Sequence, residues 1–457
     1  MESKYSILNN LKSKKFRLTN IQVIVLGYFL VIMFGTFLLS LPFASKSRQW
    51  TGFFTSLFTA TSATCVTGLV LVDTFSHWSL FGQMVIMCMI QLGGVGFMTM
   101  VSLVSVVVRR QLGLYQKTIL QKSMGSARFS VLSKLLNRIL ICTACFEGAG
   151  TLLLCTRFIP KMGFWQGLFN AMFHSISAFC NAGFDLMGKY GAYSSLTTFS
   201  GDVVVNLTLM ALIFAGGLGF LLWSDVYDKK MKLSKTSLQT QMVLAVTPIL
   251  ILLPALLIFI VERDNAFAGM TVGEALLASL FQSVTSRTAG FNSIDLSGLS
   301  NSSIVLTIVL MMVGGNVGST AGGIKITTVI IVFLGVLSTI RDKEHVDLGK
   351  RRFSDKLVRQ ANAIFIFYLS IIVVASLLIA IIDKDISVQA VVFEVVSAIG
   401  TVGLSLAGTA EFSLASKCIL LLLMFMGRVG AISLLSAFME TRQKPPIKRP
   451  IEEIMIG

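Results

Sequence analysis

The sequence predicts an all-α polytopic membrane protein with eight transmembrane helices, arranged as four repeats of span, half-length helix and span around a pseudo-fourfold central pore. The shortage of charged residues, the lengths of the apolar runs and the recurrence of one short motif lead to this prediction. The chain has 457 residues, of which 54% are hydrophobic and 13% charged, and its mean hydropathy is +0.81. Soluble proteins carry about 25% charged residues, so this chain has too few to cover an ordinary water-facing surface.

Eight apolar runs are long enough to cross a hydrocarbon layer of about 30 Å as helices. The predicted spans are Ile21–Leu41, Leu80–Val108, Leu136–Ile159, Asp202–Trp223, Thr240–Val261, Ser302–Ile340, Leu357–Ile382 and Ser416–Phe438. A shorter apolar stretch of 12 to 17 residues lies inside each successive pair and is predicted to form a re-entrant or buried helix. These stretches are Gly52–Thr64, Phe164–Cys180, Val272–Ser286 and Val388–Ile399.

Lysine and arginine crowd five segments, which hold 27 of the 38 basic residues. The positive-inside rule places all five in the cytoplasm, so two spans and one returning helix fit each interval and both termini are cytoplasmic. This placement explains the net charge of +16 without nucleic acid as a partner. The predicted organisation is a cytoplasmic N-terminus at 1–20, repeats at 21–108, 136–223, 240–340 and 357–438, and a cytoplasmic tail at 439–457.

One short motif closes each half-length helix with a polar or small residue, a small apolar residue, glycine, and then leucine or phenylalanine. Its glycines are Gly68, Gly183, Gly290 and Gly403, at spacings of 115, 107 and 113 residues. A second glycine pattern follows 24 to 33 residues later and is expected to serve close helix packing. It begins at Gly93, Gly216, Gly314 and Gly427.

The first motif has the chemistry of a site for a dehydrated monovalent cation. A helix C-terminus carries about −0.5 elementary charge, so four of them directed at one axis attract a cation. Extended residues after the helices can turn carbonyl oxygens inward to replace the water shell of an ion, and glycine adopts the dihedral angles that this requires. The alternatives are that these glycines serve helix packing, or that the chain is a sodium-coupled symporter of another small solute, with broken helices at the membrane midplane. A membrane enzyme is not expected, because His77, His174 and His345 are scattered and the spans hold no paired carboxylates.

On these motifs the sequence resembles the superfamily of Trk, Ktr and HKT potassium transporters, essentially end to end. The resemblance implies a potassium-selective filter of backbone carbonyls in the cell membrane, with potassium as the bound ion and no organic cofactor in this chain. The implied filter residues are Val66, Thr67, Gly68, Asn181, Ala182, Gly183, Thr288, Ala289, Gly290, Thr401, Val402 and Gly403. No extra helix pair precedes Ile21, and the tail Arg449–Gly457 is similar to Ktr tails. The Ktr branch implies a homodimer and a cytoplasmic ring of RCK subunits that bind ATP or ADP, although anionic lipid would also explain the basic face.

The second span of the third repeat is interrupted by five glycines in the ten residues from 314 to 323. Each glycine costs a helix about 1 kcal/mol, and irregular backbone at membrane depth is tolerated only beside protein or a water-filled cavity. The stretch resembles the intramembrane gating loop of the superfamily. The implied gate residues are Gly314, Gly315, Asn316, Gly318, Ser319, Thr320, Gly322, Gly323 and Arg428.

Arg428 lies level with this break, in mid-span, where an arginine costs at least about 2.5 kcal/mol without a partner or a cavity. We expect it to donate hydrogen bonds to loop carbonyls around 316–320 and to oppose cation passage, the alternative being a side chain that snorkels to a membrane face. Lys325 either lines the inner vestibule or snorkels. Glu147 is expected to pack through hydrogen bonds rather than bind sodium, and Arg287 to brace the filter backbone.

Overall fold

Long and half-length helices alternate along the chain in the computed structural model, which describes residues 20–96, 132–349 and 351–430. The helices are α1 (Asn20–Ser40), α2 (Phe53–Cys65), α3 (Thr74–His77), α4 (Leu80–Val95), α5 (Leu132–Met162), α6 (Phe164–Phe179), α7 (Val203–Leu218), α8 (Phe220–Asp228), α9 (Leu238–Glu262), α10 (Val272–Thr285), α11 (Asn301–Met312), α12 (Ile326–Ile340), α13 (Asp355–Ile382), α14 (Val388–Gly400) and α15 (Leu414–Val429). Short 3-10 turns lie at Pro42–Ala44, Met187–Lys189, Thr197–Phe199, Leu233–Lys235, Leu296–Gly298 and Thr409–Glu411. A hairpin pairs β1 (Asp347–Leu348) antiparallel with β2 (Arg351–Arg352).

The four half-length helices α2, α6, α10 and α14 contain 13 to 16 residues and begin and end within one residue of the predicted stretches. Hydroxyl side chains set where two of them begin. Thr271 and Glu274 form a reciprocal capping box at the start of α10, and the Ser387 hydroxyl accepts the N–H of Ala390 at the start of α14. The boundaries are therefore encoded locally.

Four helices of the described chain are long and apolar enough to cross a membrane, or five if the bent pair α7 and α8 counts as one span. The four are α1, α5, α9 and α13, the first member of each predicted pair. The predicted spans Leu80–Val108 and Ser416–Phe438 extend beyond residues 96 and 430, where the described ranges stop. The N-terminal segment before Asn20, most of the basic segment at 109–138 and the tail also lie outside the described residues.

The predicted span Asp202–Trp223 is not one continuous helix. The chain there forms two helices, α7 and α8, which meet at an angle of 84°. Gly219 stands between them with φ 87°, and a methyl group added to it would lie 3.1 Å from the carbonyl oxygen of Gly318. The N–H of Phe220 donates to that same oxygen at 3.0 Å. The helix breaks because the N–H of Phe220 bonds to the carbonyl of Gly318 and not to a carbonyl of its own preceding turn.

The half-length helices pack in a repeating order. Each contacts the first long helix of its own repeat and the second long helix of the preceding repeat. The pairs are α2 with α1 and α15, α6 with α5 and α4, α10 with α9 and α7, and α14 with α13 and α11. Because α15 from the end of the chain packs on α2, the order closes on itself. The ends of the four half-length helices are thereby brought together.

Candidate cation site

The four motif glycines meet at the ends of the half-length helices. A methyl group added to any one of them would meet a backbone carbonyl oxygen of the next motif in chain order. Gly68 meets the oxygen of Ala182 at 2.6 Å, Gly183 that of Ala289 at 2.8 Å, Gly290 that of Val402, and Gly403 that of Thr67. The contacts run once around the four segments and return to the first. No side chain larger than hydrogen fits at these positions.

The four segments share one backbone conformation. Each glycine has a positive φ, and so does the residue two positions before it. The glycine values are 94° at Gly68, 71° at Gly183, 81° at Gly290 and 95° at Gly403, and the others are 57° at Val66, 58° at Asn181, 76° at Thr288 and 51° at Thr401. A left-handed conformation at a residue other than glycine costs about 1 to 3 kcal/mol and persists only where the surroundings enforce it. Four such residues at one place point to a functional backbone shape.

Hydroxyl groups near the ends of the half-length helices hold this backbone. The Ser62 and Ser397 hydroxyls accept the N–H groups of Gly68 and Gly403, each at 3.1 Å. In the other two repeats the hydroxyls donate instead, Ser177 to the Phe184 carbonyl at 2.7 Å and Thr285 to the Phe291 carbonyl at 2.8 Å. Sequence reasoning noted the recurring motif but not these bonds. The recurrence of serine six residues before Gly68, Gly183 and Gly403 was the available signal.

Four buried polar atoms beside the glycines have no hydrogen-bond partner within the described protein. They are the hydroxyl oxygens of Thr67, Thr288 and Thr401 and the amide oxygen of Asn181. Buried oxygens are almost always satisfied, so each of these atoms can accept water or a cation as its partner. Their chemistry suits a monovalent cation, because all four are neutral oxygens.

A cavity of about 820 Å³, here called the mouth cavity, opens directly onto all four glycines. Its lining includes three acidic residues, each in the segment that follows a half-length helix: Asp185, Asp295 and Glu411. Burial raises the pKa of Asp185 to about 6, with a smaller contribution from the Asp73 carboxylate. Clefts lined by one sign of charge concentrate counter-ions, so this cavity favours cations. The sequence analysis did not predict the mouth cavity, because its acids are distant in the chain.

The glycine-rich segment between α11 and α12 folds back on itself. The N–H of Gly314 donates to the Ile324 carbonyl at 2.8 Å, and that of Ile326 donates to the Gly315 carbonyl at 3.1 Å, so the two ends of the loop are joined. Asn316 fastens the loop to the break after α7, with its amide donating to the Leu218 carbonyl at 3.0 Å. The loop and the broken helix therefore form one unit.

Thr320 connects this loop to the second motif segment, which includes Asn181. Its hydroxyl accepts a hydrogen bond from the Asn181 amide and donates one to the Phe179 carbonyl, both at 3.0 Å. Gly322 packs against the Thr401 side chain with no room for a methyl group. The loop thus touches two of the four segments.

Arg428 joins three repeats through carbonyl oxygens. Its guanidinium donates to Thr320 in the loop and to Gly93 and Gly94 at the end of α4, the last at 3.1 Å. Thr320 lies in the stretch where the sequence predicted acceptors, whereas the contact with α4 was not predicted. Guanidinium groups make strong hydrogen bonds of this kind with several acceptors at once. The side chain fastens the loop to a neighbouring helix.

Two other intramembrane residues bond within the protein. The Lys325 ammonium donates to the Ala321 carbonyl at 2.6 Å, so it turns toward its own loop instead of snorkelling. The Gln91 amide donates to the Glu147 carboxylate at 3.2 Å, which fits the hydrogen-bonded packing expected for Glu147. Arg287 was expected to brace the filter backbone, but its Nε atom is buried and has no hydrogen-bond partner among the described residues.

The second glycine pattern packs the later helices against the half-length ones. A methyl group at Gly93, Gly216 or Gly427 would overlap a backbone carbonyl oxygen, and the three oxygens belong to Thr64, Phe179 and Ile399. Each oxygen lies four residues before a motif glycine. This packing agrees with the predicted use of the second pattern.

Comparison with known proteins gives concordant results. The TrkH family, described as a cation transport protein, matches residues 6–445. The chain is 36% identical to the potassium/sodium uptake protein NtpJ of Enterococcus hirae, over 98% of this chain and 99% of that protein. It is also 36% identical to the Ktr system potassium uptake protein B of Bacillus subtilis, over 97% of this chain and 98% of that protein. The crystal structure of the potassium transporter TrkH from Vibrio parahaemolyticus shares the fold at a TM-score of 0.69 and 18% identity, covering 94% of this chain and 87% of that chain. With the family match extending over most of its length, the chain belongs to the TrkH family of cation transport proteins.

Proposed function

We propose that this chain is the membrane subunit of a Ktr-like potassium uptake system, in which potassium crosses the cell membrane through a filter formed by residues 66–68, 181–183, 288–290 and 401–403. Each motif glycine lies against the next motif, and the four contacts close into a ring. This observation carries the proposal. The choice of potassium is supported by two relatives at 36% identity, one named for potassium uptake and the other for potassium/sodium uptake.

The backbone of the four segments supports a filter for a dehydrated ion. Positive φ at two positions in each segment alternates with ordinary backbone, which lets successive carbonyl oxygens face one side. Such oxygens replace the water shell of a monovalent cation without a fixed negative charge. The C-terminal ends of four half-length helices add negative potential at the same place.

The arrangement of repeats proposed with this function is pseudo-fourfold, with eight crossings and both termini in the cytoplasm. The closed packing order of α2, α6, α10 and α14 supports the fourfold part. The crossing number follows from the apolar runs and the basic segments, including those outside the described residues. In this arrangement the mouth cavity faces the outside and the glycine-rich loop lies on the cytoplasmic side of the filter.

The proposed gate consists of the glycine-rich loop and Arg428. The loop lies against the Thr401 and Asn181 segments, so it stands beneath the filter and blocks the ion path when closed. Arg428 holds it there through the Thr320 carbonyl and places a positive charge beside the path. Opening requires that these hydrogen bonds break and that the loop withdraws toward the break at Gly219.

The proposed partners are a second copy of the chain and a cytoplasmic RCK-type ring that binds ATP or ADP. Two relatives are named as proteins B and D of a Ktr system, which supports a multi-component assembly. The basic cytoplasmic segments supply a surface for such a ring and for anionic lipid.

Uptake of rubidium or potassium into proteoliposomes tests the function, with sodium varied and Gly68→Ser as the comparison. A methyl carbon at residue 68 would lie 2.6 Å from the Ala182 oxygen, so serine displaces a filter carbonyl. We expect uptake of potassium by the native chain and a lower preference for potassium over sodium in Gly68→Ser. An unchanged permeability ratio in that variant would count against the filter.

The symporter alternative rests on the two broken helix pairs, α7 with α8 and α11 with α12, because broken helices also bind solutes in secondary transporters. The same proteoliposomes separate the two functions. A symporter of another small solute does not take up rubidium, whereas a potassium filter passes rubidium with no other solute added.

A further inference from the structure

Glu394 is a buried acid without a basic partner. It lies in α14, its side chain is 0% exposed, and no lysine, arginine or histidine of the described chain forms an ion pair with it. Its two carboxyl oxygens accept hydrogen bonds from separate hydroxyls. Ser405 donates to Oε2 at 2.7 Å, and Thr409 donates to Oε1. A buried carboxyl group with this pair of donors is a specific structural feature, since burial without partners would be strongly unfavourable.

The two hydroxyls belong to the segment that leaves the fourth motif. Ser405 follows Gly403 by two residues, and its oxygen also accepts the N–H of Gly408 at 3.1 Å. Ser397, one helical turn after Glu394, accepts the N–H of Gly403 itself. Residues three apart lie on the same helix face, so one face of α14 holds the backbone on both sides of the Gly403 carbonyl.

The corresponding position differs in the other three repeats. Nine residues before the motif glycine stand Thr59, His174 and Phe281. Thr59 bonds back to its own helix at the Thr55 carbonyl, and Phe281 has no hydrogen-bonding group. His174 accepts the Leu186 N–H at 3.4 Å, a longer bond to the equivalent exit segment. A carboxyl group that ties down the exit segment is therefore specific to the fourth repeat.

We propose that Glu394 is a positioning residue for ion selection, which fixes the Gly403 carbonyl by holding Ser405 and Thr409 and does not touch the ion. This inference rests on the proposed filter function. The two hydroxyl bonds to one rigidly buried carboxyl group restrain the exit segment against the pull of a smaller, more strongly attracting ion. A filter that is free to contract discriminates less well against sodium.

Glu394→Gln tests the proposal, because the amide has nearly the same shape but keeps only one acceptor oxygen, so one of the two hydroxyls loses its acceptor. In proteoliposomes we expect the ratio of potassium to sodium permeability to fall about tenfold, with the apparent melting temperature of the detergent-solubilised protein retained within a few degrees. Glu411→Gln is the matched control. It removes an exposed acid from the mouth cavity, which Ser405 and Thr409 also line, and should lower the apparent affinity for potassium without changing the permeability ratio.

Two outcomes overturn the proposal: a native permeability ratio in Glu394→Gln, or an equal change in Glu411→Gln, which would indicate bulk charge. If Glu394→Gln does not fold, Ser405→Ala removes one of the two bonds from the other side, and a native ratio there overturns the proposal as well. Gly68→Ser in the same assay distinguishes a failure of the positioning role from a failure of the filter. A change in Gly68→Ser without one in Glu394→Gln refutes only the positioning role, whereas no change in Gly68→Ser refutes the filter itself.

Discussion

Replacing Arg428 by glutamine should raise ion flux by weakening the closed gate. The arginine makes three hydrogen bonds to carbonyls, one in the loop and two at the end of α4. A hydrogen bond from a charged group contributes about 1.5 to 3 kcal/mol, and glutamine can keep one of the three. Loss of two bonds at the lower end of this range amounts to about 3 kcal/mol, or roughly a hundredfold in the closed-to-open ratio. Because the side chain is partly exposed, solvent reduces this effect, and we expect a rise in flux of at least tenfold.

Rubidium flux into proteoliposomes, measured without any regulatory partner, checks this prediction. Arg428→Lys keeps the charge and loses the forked geometry, so its flux should lie between those of the native and glutamine proteins. Arg157→Gln is the control, since that arginine is about half exposed at 47% and pairs with Asp202 away from the loop. A native flux in Arg428→Gln would refute both the role of Arg428 in holding the loop and its role as an electrostatic barrier.

Two further predictions follow from local geometry. Gly427→Ala should lower the free energy of unfolding by about 1 to 3 kcal/mol, because the added methyl group overlaps the Ile399 carbonyl. Gly148→Ala, whose methyl group meets open space, should leave it unchanged. Thermal unfolding in detergent compares the two variants, and equal melting temperatures would contradict the close packing. The apparent affinity for potassium should fall as external pH drops through about 6, because burial raises the pKa of Asp185 to about 6. The negative charge of Asp185 in the mouth cavity is present above that pH and lost below it. Asp185→Asn should remove this pH-dependent step in the uptake KM, and a step that persists would belong to another group.

The half-length helices were predictable because their signals are local. Apolar runs too short to cross, hydroxyl caps such as Thr271 and Ser387, and a glycine motif after each helix fix both ends. The family assignment and the transport class were likewise correct, as the match over residues 6–445 confirms. Each of these features depends on residues close together in the chain.

The break at Gly219 was not predictable from the sequence alone. Glycines around it read equally well as a packing motif, and they do serve packing at Gly216. What bends the chain there is the carbonyl of Gly318, about a hundred residues away, which accepts the Phe220 N–H. Long-range backbone contacts leave no periodic signal in the sequence.

The sequence indicated the four glycine segments but not the side-chain contacts around them. Glycine at four equivalent positions indicated the motif, whereas the donors and acceptors that support it were recognised only in space. Ser62 and Glu394 act on residues 6 and 11 or more positions away, and Arg428 reaches α4 across 334 residues. Such contacts depend on which helix ends the packing brings together.

The location of a thallium ion, a heavy mimic of potassium, tests the central claim most directly. Anomalous diffraction from crystals grown with thallium should place a peak on the axis enclosed by Gly68, Gly183, Gly290 and Gly403, within bonding distance of backbone oxygens from all four segments. Peaks found only among the side chains of the mouth cavity, with none between the glycines, would contradict the proposed mechanism.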